Sequence, residues 1–94
     1  MRIAICRLRK AYDYEALVYD GKNVKDICKF VGEGNYIITT SGVHIIATDL
    51  GEAKVNKDDA VVKDTKTGEL YLLDKYSFKD KYAVISMRTE VTDE

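Results

Sequence analysis

An α+β fold, a curled antiparallel β-sheet carrying one main amphipathic helix, follows from three features of this 94-residue sequence. Apolar residues recur at i, i+3, i+4 and i+7 in one segment, at Val24, Ile27, Cys28 and Val31, which is the stripe a helix lays on a core. Elsewhere, short stretches rich in Val, Ile, Leu and Tyr are separated by turn residues, the pattern of strands. The chain also contains no proline, the commonest breaker of either element. A second core would have too little chain to bury itself. Residues 1–94 therefore read as a single domain, with 88–94 expected to fray.

Taken in order, residues 2–8 set Ile3 and Ile5 against Arg2 and Ala4 and predict a strand. A second extended segment runs over 12–19, until Asp20-Gly21 turns the chain. The helix is expected over about 23–31, with Asn23 as its cap, Asp26 in its first turn, and Gly32 and Gly34 as its stop. Lys25, Asp26 and Lys29 form its solvated face. Segments 36–40 and 43–48 flank Ser41-Gly42, a two-residue hairpin turn. Residues 54–55 and 60–64 are further strands around the polar run Asn56 to Asp59. A second hairpin loop, Asp64 to Glu69, leads into 70–73. Asp74 or Ser77 caps a short C-terminal helical turn in which Phe78 and Tyr82 stand at i, i+4. Residues 83–87 make the last strand.

Charge is nearly balanced, with 15 Lys+Arg against 16 Asp+Glu and a formal net charge of −1. That balance argues against a nucleic-acid-coating protein. No segment reaches transmembrane length, and no apolar export segment follows Met1, so the cytoplasm is the expected compartment. Cys6 and Cys28 could pair, but in that compartment they are expected as reduced, buried thiols.

The chemistry on offer favours binding over turnover. The single histidine, His44, sits between Val43 and Ile45 and reads as a structural or surface residue rather than a general base. One histidine and two distant cysteines do not make a zinc cluster. Gly32-Glu33-Gly34 follows a helix instead of opening one, the wrong context for a phosphate loop. Asp58-Asp59 and Asp64 with Glu69 read as turn chemistry rather than a cation site. No cofactor, metal or catalytic residue is expected. Two groupings place cations beside aromatic rings: Arg7, Arg9 and Lys10 ahead of Tyr12 and Tyr14, and Lys75-Tyr76 with Lys79 and Lys81. Cations suit phosphates and rings suit base faces; an ordinary solvated surface offers the same residues.

The order of short motifs resembles a large family of small phage and prophage proteins. Arg9-Lys10, Glu15-Ala16, the segment from Tyr19 to Asn23, Ile27 and Phe30-Val31-Gly32 match its N-terminal half. Gly51-Glu52 with Lys54, Asp59, Val61-Val62-Lys63, Gly68-Glu69 with Tyr71, and Phe78 with Tyr82 match the rest, over about residues 9–85. Two departures stand out. Ala11 takes the place of the family's proline, and its Pro-Gly-Asp-aromatic turn appears as Lys57-Asp58-Asp59-Ala60.

Some proteins similar to that family are viral sponges that sequester cyclic dinucleotide alarm signals and so blunt CBASS-type anti-phage defence. The resemblance implies a bacteriophage immune-evasion protein that holds a cyclic dinucleotide such as cyclic GMP-AMP without cleaving it. It implies a homo-oligomer acting in the cytoplasm of an infected bacterium. By their chemistry, Arg9 and Lys10 are the phosphate candidates, Tyr12 the stacking ring, and Lys75 and Tyr76 a second pair on a loop. The alternative is a protein–protein inhibitor or assembly adaptor that pairs through an exposed strand edge.

Overall fold

In the computed structural model the described residues form eight strands and two helices. The structure describes the backbone of residues 2–8, 11–48 and 50–89 and the side chains of residues 3–5, 14–48 and 50–80. In chain order the elements are β1 (Arg2–Leu8), β2 (Ala11–Val18), α1 (Val24–Val31), β3 (Tyr36–Thr39) and β4 (Gly42–Ala47). They continue with β5 (Gly51–Lys54), β6 (Ala60–Asp64), β7 (Leu70–Leu73), α2 (Lys75–Lys81) and β8 (Tyr82–Thr89). The α+β class with antiparallel pairing is as expected. The strands divide, however, between a five-stranded sheet ordered β7-β6-β2-β1-β8 and a three-stranded sheet ordered β3-β4-β5.

Strand alternation sorts the five-stranded sheet into two apolar faces. Ile3, Leu17, Val61 and Leu70 point to one side and meet Ile27, Phe30 and Val31 of α1, Val43 and Ile45 of β4, and Val55. Ala4, Ala16, Ala60 and Val62 point to the other side and meet Phe78 of α2. The registers Ala4↔Ala16 and Ala16↔Val62 set these small residues in a row across three strands. That row makes a shallow seat for one ring. Helix α2 leaves β7 at one edge of the sheet and delivers the chain to β8 at the other.

Between β2 and β6, which are neighbours, the chain inserts α1 and the whole three-stranded sheet. The neck of this insertion is closed by backbone bonds: Tyr19 donates to Asp59 at 2.9 Å and Asp58 donates to Tyr19 at 2.7 Å. Asp58 takes φ of 75° to do so. This is a conformation that Asp tolerates better than most residues.

Local chemistry explains where elements stop, and it corrects several expectations. Gly32, at φ of 88°, ends α1. Asn23 precedes α1 but makes no side-chain cap. Its amide is used behind it, accepting from the Asp20 N–H at 2.9 Å and donating to the Val18 carbonyl at 3.0 Å. The β3–β4 turn is Thr40-Ser41 rather than Ser41-Gly42, because Thr39 pairs with Gly42. β5 begins at Gly51, before the expected 54–55, and Val55 lies beyond it in the core. Tyr82 opens β8 instead of continuing a helical turn, so the i, i+4 relation to Phe78 does not apply. β8 continues to Thr89, into the stretch expected to fray.

Candidate functional site

Five residues were candidates for ligand contact. Arg9 and Lys10 lie outside the described residues. Tyr12 stands in β2 opposite Arg7, and its side chain is likewise outside them. Lys75 and Tyr76 do not lie on a loop; they are the first two residues of α2. The helix starts there because Asp74 caps it, accepting from the Ser77 N–H at 2.8 Å and from the Ser77 hydroxyl at 3.3 Å. The capping bonds hold the Asp74 carboxyl below the ordinary carboxylate range, led by the Ser77 backbone N–H.

On this first turn the Lys75 ammonium lies 5.5 Å from the centroid of the Tyr76 ring, within the range of a cation–π contact. Tyr76 is 76% exposed, the most exposed large apolar side chain described. Lys79, one turn on, is exposed as well. With Phe78 turned onto the sheet, α2 thus presents Lys75, Tyr76 and Lys79 outward. A ring that solvent reaches, with an ammonium group beside it, can stack a planar base and neutralise phosphate.

The backbone of the two groups starts from opposite ends of β2, and α2 runs from one of those ends to the other. Leu73 pairs with Ala60 and Ala60 with Val18, so Lys75 follows from the Val18 end of the sheet. Tyr12 lies six residues back along β2, about 20 Å at the rise of an extended strand. Leu8, Ala11 and Tyr82 mark that far end.

A constellation that residue reasoning missed surrounds His44. Its Nδ1 lies 3.3 Å from the Glu52 carboxylate. Its Nε2 lies 3.2 Å from the Thr39 hydroxyl and 3.3 Å from the Ser41 hydroxyl. The register of β3, β4 and β5 brings these groups to one sheet face, a placement that the eight-residue spacing across the β4–β5 hairpin could have suggested. A hydroxyl, imidazole and carboxylate in line are the elements of nucleophilic catalysis. Here Nε2 is divided between two hydroxyls that also bond each other at 2.8 Å. Thr39 in addition accepts from the Ser41 N–H at 3.2 Å, so the network ties down the β3–β4 turn.

Two of the carboxylates weighed as cation ligands, Asp59 and Asp64, serve their turns. Asp59 accepts from the Asn56 N–H at 2.9 Å, and Asp64 accepts from the N–H groups of Lys66 and Thr67 at 2.8 and 3.2 Å. Among the described residues no helix is long and apolar enough to cross a membrane. Set against known proteins, the chain matches no family model, no curated protein and no solved structure.

Proposed function

We propose that the chain is a phage immune-evasion protein that binds a cyclic dinucleotide and holds it uncleaved, withdrawing the signal from CBASS-type defence in the host cytoplasm. The motif order over residues 9–85 suggests the ligand. The observation that carries the site is the Lys75–Tyr76 pair, a solvent-facing ring with a cation at 5.5 Å. Lys75 and Tyr76 offer phosphate and base contacts, and Arg9, Lys10 and Tyr12 offer the same chemistry. A homo-oligomer is part of the reading, as the resemblance implies.

Calorimetry with a panel of cyclic dinucleotides and trinucleotides tests it. A sponge gives heat with at least one of them, and chromatography returns that nucleotide intact after thermal release. Tyr76→Ala and Lys75→Ala should weaken binding with no loss of thermal stability, as should Lys10→Ala and Tyr12→Ala. Hydrolysed product would sink the sponge reading in favour of an enzyme. No heat with any nucleotide would favour the protein-binding adaptor.

A further inference from the structure

The edge of the three-stranded sheet carries a second surface. Strand β3, Tyr-Ile-Ile-Thr, is an edge strand with neither proline nor charge, so it lacks the usual guards against pairing with another strand. Ile38 is 60% exposed and Ile37 is 42% exposed.

The phase of its hydrogen bonds shows which backbone groups face outward. Ile46 donates to the Asn35 carbonyl at 2.9 Å, and the register pairs Ile37 with His44 and Thr39 with Gly42. In an antiparallel ladder alternate residues bond to the same neighbour. Asn35, Ile37 and Thr39 therefore face β4, while Tyr36 and Ile38 direct their N–H and C=O groups to the open edge.

We infer that β3 is the interface between two copies of this chain, joined antiparallel about a two-fold axis through Ile37. In that register Tyr36 of one copy exchanges both backbone bonds with the second copy's Ile38, and the reverse pair does the same. Every outward backbone group of Tyr36 and Ile38 is satisfied. The axis sets Ile37 against the second copy's Ile37 as a non-hydrogen-bonded pair, whose Cα atoms approach to about 4.5 Å. On the other face, Tyr36 meets the second copy's Ile38, an aromatic and β-branched cross-strand pair. The result is one continuous sheet, β5-β4-β3 followed by β3-β4-β5.

A second copy is the occupant because the edge is uncharged and its pattern of donors, acceptors and side chains is complementary to itself under a two-fold operation. A charged partner strand would find no counter-charge on β3. A four-residue edge makes a contact below the roughly 800 Å² per partner of a standard interface, so the dimer is reversible and concentration-dependent. The inference deepens the oligomeric part of the proposed function and concerns the ligand-free protein.

Sedimentation equilibrium of the nucleotide-free chain, from micromolar to millimolar concentration, reads the dimer directly. Ile38→Lys, at an exposed position, should raise the dissociation constant more than about tenfold by placing a charge in the new ladder. Ile38→Pro should do the same by deleting an N–H that faces only the partner. Circular dichroism should show both variants folded. In oxidising buffer Ile37→Cys should give a cross-linked dimer, because cysteines there fall within disulfide range, while wild type and Thr39→Cys should not. A chain monomeric throughout the range overturns the inference and leaves β3 open to another protein's strand. So does a dimer that Ile38→Lys leaves unchanged, or cross-linking as efficient at position 39 as at 37. None of these results bears on nucleotide heat, so the interface and the ligand can fail separately.

Discussion

Lys63 shows how one side chain joins two elements. Its ammonium donates to the Phe30 carbonyl at 3.0 Å and lies 4.5 Å over the Phe30 ring, so a strand residue satisfies the end of α1 where cations are favoured. Lys63→Ala should lower stability by about 1–2 kcal/mol, and Lys63→Met should recover only the packing of the stem; urea unfolding measures both. Asp74 is a pH-dependent case. Its carboxyl is held down by the capping bonds, so the folded chain binds the proton more weakly than the unfolded chain does. The stability this adds is fully present above the ordinary aspartate value, about pH 4, and disappears as pH falls through the lower folded value. The melting-temperature gap between wild type and Asp74→Asn should therefore be largest near neutral pH and close in acid. A gap that widened in acid would contradict the capping role. Burial pushes the Cys28 thiol upward against a smaller opposing effect of backbone hydrogen bonding. Cys28 should alkylate more slowly at neutral pH in the native protein than in urea, which iodoacetamide kinetics would show.

At the scale of elements, α2 is the part whose position rests on least. It is seven residues long, too short to be stable alone, and Phe78 is its only buried anchor among the described residues. Phe78→Ala should cost about 3–5 kcal/mol and release the backbone amides of α2 to hydrogen exchange before those of β6. The seat matters as much as the ring. Ala16, at 1% exposure, lies beneath it, and Ala16→Leu should destabilise by about 1–3 kcal/mol through overpacking. By contrast, α1 presents Ile27, Phe30 and Val31 to a core that both sheets share. Ile27→Ala should cost about 2–5 kcal/mol and be felt everywhere.

For the whole molecule, that shared core sets cooperativity. The insertion carrying α1 and the three-stranded sheet interrupts the chain between β2 and β6, yet its apolar residues pack in the same cluster as Leu17 and Val61. The insertion cannot melt without exposing the five-stranded sheet. Thermal unfolding followed by tyrosine fluorescence and by far-ultraviolet circular dichroism should give coincident transitions. Two separated transitions would show that the insertion folds on its own.

Most elements were legible because short-range rules govern them. The i, i+3, i+4, i+7 stripe placed α1, Gly32 ended it, and the apolar runs at 2–8, 60–64 and 70–73 became β1, β6 and β7. The candidate site was legible only as residue types. Lys75-Tyr76 could be picked out as a cation beside a ring, but its place on a capped helix depended on Asp74 reaching the Ser77 amide. Tertiary structure alone decided the rest, since alternation tells which residues share a face and not which strands are neighbours. The split into two sheets, the seating of Phe78 of α2 against Ala4, Ala16, Ala60 and Val62, and the Glu52–His44–Thr39 network all arise from strand order and register. So does the open edge of β3. The same Tyr-Ile-Ile-Thr would be buried in a central strand, and only its place at the end of a sheet leaves Ile38 in solvent.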